Sequence, residues 1–374
     1  MHIAQLTYST KPRGGVVHTL ALAEELAARG HRVEVWTLAR GGDETFFRPV
    51  SPDVEVHAVE FPDVEDESVG ERIERSITTM ASAFDSSANI VHAQDCISAN
   101  AVMDTGRSCI RTIHHLDDFT TPRLVECHDR AVREPSALLC VSDAVASQVR
   151  ERYGSTPEVI PNGVDAARFA RAAGPEGTAG RMEFRERLGD YVLALGGIEP
   201  RKGSIDLLEG FANLRESRPR LCDGVSLVFG GGETLFDYRP YRTDFDRRAR
   251  ELDIEPVILG TLADDEVPAL VATARALGFV SLNEGFGLAA MEALAAGVPV
   301  VARDIPVVHD VFGDAVTYAS DPVGIGHRLG RVLAEGPRAE RQALGRRLAG
   351  AHTWSAAAEL HERFYERVAA CASP

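Results

Sequence analysis

One continuous stretch, FVSLNEGFGLAAMEALAAGVPVVAR at 279–303, constrains the fold more than any other part of the chain. Its apolar start at 279–282 predicts a strand, and the loop that follows carries two glycines. The Ala- and Leu-rich segment at 288–296 predicts a helix, and Gly297 is well placed to end it. The apolar run at 298–302 has the pattern of a strand buried in a parallel sheet. The stretch therefore predicts an α/β fold.

Two acidic residues flank the predicted loop and helix of this stretch. Glu284 lies in the loop and Glu292 on the helix, a little over two helical turns apart, so both side chains can face one ligand. Between them, the amide groups of Phe286, Gly287 and Leu288 open the helix and form a favourable anion site. A phosphate on the loop and hydroxyls on the carboxylates would suit a sugar nucleotide. The alternative is a core unit whose two acids are solvated.

The length and the net charge of the chain limit the class of protein to which it can belong. A chain of 374 residues is long for a single core and predicts two domains. Its composition, 44% apolar and 26% charged, is that of a globular protein. The net charge of −16 argues against nucleic acid or an anionic membrane surface as a partner.

The cysteines and the hydropathy pattern bear on location. None of the six cysteines is in a CxxC pair, which predicts reduced, mostly buried thiols in a cytoplasmic protein rather than metal ligands. The first residues lack the apolar core of a signal peptide, and no apolar run reaches the ~18–20 residues of a membrane span. We therefore expect a cytoplasmic protein without an integral membrane segment. The sequence does not indicate its oligomeric state.

A second glycine loop, GGIEPRKG at 196–203, precedes another predicted helix. Arg201 and Lys202 lie where that helix begins, a position unfavourable for cations unless an anion is bound there. This is a second indication of a diphosphate. The alternative is that both are ordinary surface residues. The GGG run at 230–232 is a weak signal, because such runs more often form tight strand exits.

The first half of the chain begins with a predicted βαβ unit whose loop contains Gly14 and Gly15. The loop is not GxGxxG, so the dinucleotide fingerprint is absent. A later strand, CIRTIH at 109–114, ends in polar side chains at the sheet edge that faces ligands in open α/β sheets. These are His114, His115, Asp117 and Asp118. The two histidines lack the i, i+4 spacing of a helical zinc pair, so we predict no metal. The alternative is a solvated loop cluster.

Five motifs in order resemble retaining glycosyltransferases of family 4, which have the GT-B fold. They are the GGVVH loop at 14–18, TIH at 112–114, PNGVD at 161–165, PRKG at 200–203, and EGFGL with the second glutamate and AAGVPVV at 284–301. The resemblance covers nearly the whole chain. It implies two Rossmann-like, doubly wound domains facing a deep cleft, with a C-terminal helix crossing back to the first domain. An acceptor-binding domain would span 1–169 plus about 354–374, and a donor-binding domain about 170–353.

The resemblance also implies a reaction. A hexosyl unit would pass from a nucleotide-diphosphate sugar, of UDP or GDP type, to a hydroxyl of an unidentified acceptor. The configuration would be retained through front-face attack, and neither a metal nor another cofactor would be required. The implied catalytic residues are His114, Glu284 and Lys202. The implied donor-binding residues are Gly14, Gly15, Arg201, Lys202, Glu284, Phe286, Gly287, Leu288 and Glu292. Gly230, Leu259 and Gly260 would lie near the base, and His115, Asp117 and Asp118 near the acceptor.

The chain differs from the family pattern at one position, and three alternative functions were weighed against glycosyl transfer. The family pattern has an arginine where this chain has Gly197, and Arg201 is the candidate to supply the missing charge. A GT-B sugar-nucleotide epimerase would use the same nucleotide site with another set of acids and bases. A non-catalytic sugar-nucleotide-binding protein would keep the site without the reaction. A Rossmann oxidoreductase is disfavoured by the missing GxGxxG.

Overall fold

The computed structural model describes residues 1–232 and 238–372. The last two positions of the segment predicted at 354–374 therefore lie outside the described residues. Two separate parallel sheets, each with its own helices, account for most of the described chain. The α/β prediction is confirmed.

The first sheet has seven parallel strands in the order β3-β2-β1-β4-β5-β6-β7. This order is doubly wound, because the chain moves outward in one direction from β1 and then in the other. The elements of this region are β1 (His2–Leu6), α1 (Gly14–Ala28), β2 (Arg32–Arg40), β3 (Val54–Phe61), α2 (Val69–Ala83), β4 (Ile90–Ala93), α3 (Cys96–Asp104), β5 (Ile110–Ile113), α4 (Pro122–Arg133), β6 (Ala137–Cys140), α5 (Asp143–Tyr153) and β7 (Glu158–Val159).

The second sheet has six parallel strands in the order β10-β9-β8-β11-β12-β13 and winds in the same way. Its elements are α6 (Ala166–Ala173), α7 (Thr178–Leu188), β8 (Asp190–Leu195), α8 (Ser204–Ser217), β9 (Val225–Gly230), α9 (Arg239–Glu251), β10 (Val257–Gly260), α10 (Val267–Thr273), β11 (Ala276–Phe279), α11 (Leu288–Ala296), β12 (Val300–Arg303), α12 (Pro306–Phe312), β13 (Thr317–Ala319), α13 (Pro322–Glu335) and α14 (Ala339–Ala351). Short 3₁₀ turns lie at Pro175–Gly177, Pro200–Lys202, Pro219–Leu221 and Gly313–Ala315. The last helix, α15 (Trp354–Ala372), follows α14.

The contacts divide the chain into two compact units, one of Met1–Gly163 with Trp354–Pro374 and one of Val164–Thr353. The first unit thus ends before residue 169, where the sequence places the boundary. Two helices, α6 and α7, occupy most of the segment that follows this predicted boundary. Asp165 caps α6 by accepting a hydrogen bond from the amide of Arg168 at 2.9 Å, and Phe169 is buried. The N-cap at Asp165 and the burial of Phe169 explain why a helix forms in this segment.

The central strand–loop–helix–strand unit forms, but both strands are shifted: β12, predicted at 298–302, is Val300–Arg303. The strand predicted at 279–282 instead spans Ala276–Phe279, and its last paired residue is Phe279, which lies opposite Ala302 of β12. The helix α11 has the predicted extent, and Gly297 ends it in the left-handed conformation with φ of 77°. The carboxyl ends of β8 to β12 therefore lead directly into the loops that carry the predicted donor site.

Candidate functional site

The loops at the carboxyl edge of the second sheet touch one another through glycine backbone. The amide of Gly196 donates to the carbonyl of Gly230 at 2.7 Å, and the amide of Gly231 donates to the carbonyl of Gly260 at 2.8 Å. A Cβ on Gly231, where φ is +150°, would lie 2.4 Å from the carbonyl carbon of Gly196. The GGG run is thus a tight strand exit that fixes three neighbouring loops. Leu259, Gly230 and Gly260, predicted near the base, lie at the ends of β9 and β10.

Packing explains why Gly197 replaces the arginine of the family pattern. A Cβ at this position would lie 2.6 Å from the carbonyl oxygen of Gly232 and 3.0 Å from a carboxylate oxygen of Glu199. A longer side chain does not fit this loop conformation. Arg201 supplies a cation a few residues later, with Nη1 lying 3.2 Å from the carbonyl of Asn283 and 3.7 Å from Oε2 of Glu284.

Lys202 and Glu284, predicted from separate motifs, form an ion pair. Lys202 Nζ donates to Glu284 Oε2 at 3.0 Å, and the two side chains are only 23% and 12% exposed. The turn that carries Lys202 packs closely against the Val280 backbone through Gly203, where an added Cβ would lie 2.4 Å from the carbonyl oxygen of Val280. This pair was not predicted, because a bound anion was expected to be the counter-charge of both cations. Glu284 already provides part of that charge.

The loop before α11 is shaped by Gly287. Its φ is +97°, and a Cβ there would lie 2.8 Å from the Phe279 ring and 3.0 Å from the Phe312 ring. Phe286 is buried, with its ring 5.6 Å from that of His352. The helix begins at Leu288 without a side-chain cap, so its first amide groups have no partner within the helix. This N-terminus is the anion-binding feature that the sequence predicts.

Glu292 lies on α11 in a different electrostatic setting. Its side chain is half-buried, and burial raises its pKa to about 8. Arg168 opposes this rise and Asp264 adds to it. Arg168 also pairs with Asp264, its Nη2 lying 2.8 Å from Oδ2. The positive charge available to Glu292 is therefore shared, and the carboxyl group is mainly protonated at neutral pH.

The first unit brings Gly15 and His114 together. A Cβ on Gly15 would lie 3.5 Å from the His114 ring. Both Gly14 and Gly15 belong to the first turn of α1 rather than to the loop in which the sequence analysis places them. The His114 ring lies 3.1 Å, through Nε2, from Oε1 of Gln94. Burial holds the pKa of His114 well below its usual range, so the ring is neutral.

The residues predicted near the acceptor separate into two sets. His115 Nε2 lies 2.9 Å from Oδ2 of Asp117, and both side chains are partly exposed. Asp118 is 95% exposed and accepts a hydrogen bond from Arg152 at 2.8 Å. The structure thus joins His115 to Asp117 and places Asp118 in a separate surface ion pair.

A buried hydrogen-bond chain behind His114 was not predicted. Gln94 Nε2 donates to Gln5 Oε1 at 2.7 Å, and Gln5 Nε2 donates to Tyr365 Oη at 3.1 Å. Tyr365 Oη lies 2.7 Å from Nδ1 of His92, whose Nε2 lies 2.6 Å from Oγ1 of Thr112. No pattern in the sequence links His92 or Gln94 to α15.

Two further histidines lie in the same interior. His18 Nδ1 lies 2.9 Å from Oδ1 of Asn162, and its ring is 5.8 Å from that of His361. His361 Nδ1 donates to the carbonyl of Ala357 in its own helix at 2.8 Å. Burial lowers the pKa of His18 to about 3 and that of His361 to about 4. With His92 and His114 they form a set of four neutral histidines, which we call the histidine core.

Within 1–232 and 238–372, no three side chains of His, Cys, Asp or Glu are grouped so that they could hold a metal ion. In the same two ranges, no helix is both long and apolar enough to cross a bilayer.

Two family profiles match consecutive parts of the chain. Residues 12–168 match Glycosyltransferase Family 4, and residues 185–342 match Glycosyl transferases group 1. The first match contains the Gly15–His114 pair and the second contains the Lys202–Glu284 pair and Glu292. Both groups of predicted site residues thus fall within matched segments.

Curated relatives agree with these matches. A D-inositol 3-phosphate glycosyltransferase from Salinispora tropica is 31% identical over 58% of this chain, and the chain spans about half (48%) of its length. An MMP alpha-(1->4)-mannosyltransferase from Mycolicibacterium hassiacum is 26% identical over 99% of this chain and 100% of its own length.

Among solved structures, HepE from Anabaena in complex with UDP and glucose resembles this chain with a TM-score of 0.73. The likeness covers 97% of this chain and 99% of HepE at 17% identity, which establishes a common fold. The sequence motifs, the two doubly wound sheets and both profiles lead to one conclusion: the chain belongs to the family 4 glycosyltransferases, with the GT-B fold.

Proposed function

We propose that this protein transfers a hexosyl unit from a nucleotide-diphosphate sugar to an acceptor hydroxyl, with retention of configuration and without a metal ion. The observation that carries the proposal is the Lys202–Glu284 ion pair beside the N-terminus of α11, with Glu292 on the same helix. Together they offer a cation and helix amides for a diphosphate and two acids for sugar hydroxyls.

The diphosphate would be the leaving group. Breaking the bond between sugar and phosphate builds negative charge on the β-phosphate, and Lys202, Arg201 and the amides at Gly287 and Leu288 would stabilise it. The helix N-terminus favours anions through its dipole and its unpaired amides. These groups would balance the charge that a metal ion neutralises in other phosphate sites.

The two acids would have different roles. Glu284, held beside Lys202, would accept hydrogen bonds from hydroxyls of the transferred sugar. Glu292, with a pKa raised to about 8 by burial, can both donate and accept, which suits the paired hydroxyls of a ribose. One helix and its preceding loop would thus orient both sugars of the donor.

We assign to the first unit the contact with the reacting sugar and the acceptor. His114 is neutral and is held by Gln94, so it can form a directed hydrogen bond to the transferred sugar without adding a positive charge. His115 and Asp117 are the acceptor candidates that lie together. Front-face attack needs no enzyme nucleophile, and the acceptor hydroxyl would lose its proton to the departing phosphate.

The donor class is UDP or GDP, and the likeness to HepE, which was solved with UDP and glucose, favours UDP as the first to test. The reaction would take place in the cytoplasm. Six free cysteines, four of them buried, suit a reducing compartment.

A thermal-shift screen with UDP, GDP, ADP and dTDP and their common sugar conjugates tests the site. We expect one nucleotide to raise the melting temperature, because a ligand that binds only the folded state stabilises it. Lys202→Met and Glu292→Gln should reduce that rise. Arg331→Met is the matched control, since it removes an exposed cation paired with Glu335 on α13. No shift with any nucleotide at millimolar concentration would refute the donor site.

The reaction is tested next with the donor so found and a panel of sugar, polyol and sugar-phosphate acceptors. Proton NMR of the new glycosidic bond should show the anomeric configuration of the donor, and EDTA should leave the rate unchanged. An inverted product would refute retention, and inactivation by EDTA that a divalent cation reverses would refute metal independence. Binding of the donor without transfer to any acceptor would favour the non-catalytic alternative.

A further inference from the structure

Five buried polar side chains lie behind the sheet edge that carries His114. Each is at most 2% exposed, and they come from three strands, from the segment after one of these strands and from the last helix. They are Gln5, His92, Gln94, Thr112 and Tyr365. Burying an amide, an imidazole or a phenol costs free energy unless its polar atoms find partners. None of the five touches the donor in the proposed reaction, so their arrangement serves something other than direct contact.

The strand register brings three of these side chains to one face of the first sheet. Gln5 of β1 lies opposite His92 of β4, so both side chains point to the same face. His92 in turn lies opposite Ile110 of β5, and Thr112, two residues further along that strand, returns to the same face. The helix α15 covers this face, because the Tyr365 hydroxyl reaches both Gln5 and His92.

Three hydrogen bonds join Tyr365 to His114 in one order. Gln5 Nε2 donates to Tyr365 Oη at 3.1 Å, and Gln94 Nε2 donates to Gln5 Oε1 at 2.7 Å. Because each amide turns its nitrogen towards Tyr365, each turns its oxygen towards His114. Gln94 Oε1 therefore lies 3.1 Å from Nε2 of His114. We call Tyr365, Gln5 and Gln94 the glutamine chain.

The glutamine chain determines which nitrogen of the His114 ring carries the proton. An amide oxygen can only accept a hydrogen bond, so Nε2 of His114 is the donor. Burial keeps the pKa of His114 well below its usual range, so the ring holds one proton only. The other nitrogen, Nδ1, then carries a lone pair. Within 1–232 and 238–372, no residue donates to this Nδ1, and His114 is partly exposed.

The far end of the glutamine chain is fixed by Tyr365. Its hydroxyl accepts from Gln5, so its own proton points to Nδ1 of His92, 2.7 Å away. His92 then donates through Nε2 to Oγ1 of Thr112 at 2.6 Å. Burial lowers the pKa of His92 well below its usual range, so this ring is also neutral. The Tyr365 hydroxyl uses both of its hydrogen-bonding directions and therefore sets the order of the whole chain.

One edge of the His114 ring is enclosed by protein. A Cβ on Gly15 would lie 3.5 Å from Cδ2 and 3.6 Å from Nε2 of this ring. The ring of His18 stands edge-on to it, with the two centroids 5.0 Å apart. The edge formed by Cδ2 and Nε2 thus faces Gly15 and Gln94. Nδ1, across the ring, is the nitrogen left for a ligand.

We propose that Tyr365 is a positioning residue which, through Gln5 and Gln94, holds His114 as the Nε2–H tautomer, so that Nδ1 accepts a hydrogen bond from a hydroxyl of the transferred sugar. This inference rests on the proposed function, from which it takes the contact between His114 and the sugar. It adds the direction of that contact and the residue on the last helix that sets it.

The tautomer is measured first in the full-length wild-type protein without substrate. Histidine labelled with ¹⁵N shows whether each ring nitrogen carries a proton or a lone pair, because the two states resonate far apart in two-bond ¹H–¹⁵N spectra. His114→Ala assigns the signal. We expect His114 to carry its proton on Nε2 alone at pH 7. A proton on Nδ1, as both amides turned the other way would require, or on both nitrogens, would overturn the proposal.

Tyr365→Phe tests the start of the chain, since it removes the hydroxyl and keeps the ring in the core. Gln5 then has no acceptor there, so both amides can turn and present Nε2 of Gln94 to the His114 ring. We expect the two tautomers of His114 in about equal amounts. Tyr153→Phe is the matched control, because it removes a hydroxyl that donates to Asp129 at 2.8 Å in the same unit. A folded Tyr365→Phe protein with the wild-type tautomer would refute the role of Tyr365.

Kinetics separate a positioning role from a role in stability alone. With donor and acceptor in hand, Tyr365→Phe should lower kcat about two- to tenfold and change the KM of the donor by less than about twofold. Half of the molecules in the wrong tautomer account for a factor of two, and lost orientation of one hydrogen bond accounts for the rest. Tyr153→Phe should turn over as the wild type does. An unchanged kcat in a variant with mixed tautomers would overturn the link between tautomer and reaction.

A titration distinguishes failure of this inference from failure of the proposed function. The nucleotide-sugar conjugate should move the Nδ1 resonance of His114, whereas the nucleotide diphosphate alone should not. If the conjugate raises the melting temperature but leaves that resonance unmoved, His114 does not accept from the sugar, and this inference fails while the donor site stands. If no nucleotide binds, the proposed function fails, and the tautomer of the free protein still decides the role of Tyr365.

Discussion

The two sheets have the same doubly wound topology, yet the side chains at their carboxyl edges differ in charge. In the first unit, His114 rests on a chain of buried, neutral side chains that reaches α15. In the second unit, Lys202, Arg201 and Glu284 form a charged cluster on loops. The first arrangement orients a hydrogen bond, and the second stabilises charge. A single topology therefore supports two kinds of chemistry, set by the residues that follow each strand.

The same difference gives the two units opposite responses to pH. Burial lowers the pKa values of the histidine core, so the folded first unit keeps these rings neutral. Acid protonates the same histidines in the unfolded chain and therefore lowers the unfolding free energy. Glu292 has a raised pKa, so its protonated state is the stable one. Acid should weaken the first unit, and base should weaken the second.

The largest expected effect is on the first unit in acid. Between pH 6.5 and about 4, unfolded histidines bind protons that the folded core excludes, so the unfolding free energy falls as the pH falls. The loss at pH 5 is about 2 kcal/mol for each such histidine. Amide hydrogen exchange should show loss of protection in the first unit at pH 5 while the second unit stays protected. His361→Leu should reduce the acid sensitivity. Equal protection of the first unit at pH 5 and pH 7 would contradict the lowered pKa values of the histidine core.

The next effect concerns charge in the second unit. Lys202→Met should weaken nucleotide-diphosphate binding about 10- to 100-fold, because a charge-assisted hydrogen bond contributes roughly 1.5–3 kcal/mol. Isothermal titration calorimetry with the nucleotide found in the screen measures it. Arg331→Met should bind as the wild type does. If both variants lost affinity equally, the effect would be general electrostatics rather than the Lys202 contact.

In the first unit, the corresponding change is Gln94→Ala. It leaves the His114 ring and the Gln5 amide without their partner, which should cost about 1–3 kcal/mol in unfolding free energy. Chemical denaturation measures the loss. Gln148→Ala, at an exposed position of α5, should change stability by less than about 0.5 kcal/mol. A Gln94 variant as stable as the Gln148 variant would mean that the buried chain does not hold His114.

The smallest effect is expected from Glu292→Gln. As the pH rises from 4.5 through 8, the wild type loses the stability linked to its protonated carboxyl group, whereas the amide stays neutral. Because Glu292 is only half-buried, solvent screening reduces the linked free energy, so at pH 9 the variant should melt only a few degrees higher than the wild type, and toward pH 4 the two should be equal. Glu255→Gln, at an exposed position, is the control. A difference in melting temperature that did not vary with pH would contradict a raised pKa.

Local patterns were enough to predict the fold and the parts of the site that lie within single motifs. Glu284, Gly287 and Glu292 fall within one stretch of strand, loop and helix, so their proximity follows from helical geometry. The Lys202–Glu284 pair was not predicted, because it joins two loops 82 residues apart. The contact of Tyr365 with His92 joins residues 273 apart, and no local pattern encodes it. Gly197 shows the same limit, since the reason for its small size is a carbonyl oxygen on another loop.

The helix α15 has a consequence for the order in which the protein is made. It supplies Tyr365, fully buried, to the core of the unit that contains β1 to β7. That unit therefore cannot complete its interior until α15 has been synthesised. The segment 164–353 is continuous, and its ends meet where the amide of Val164 donates to the carbonyl of His352 at 2.8 Å. During synthesis the second unit can finish folding first, while the unit whose strands leave the ribosome first must wait for α15.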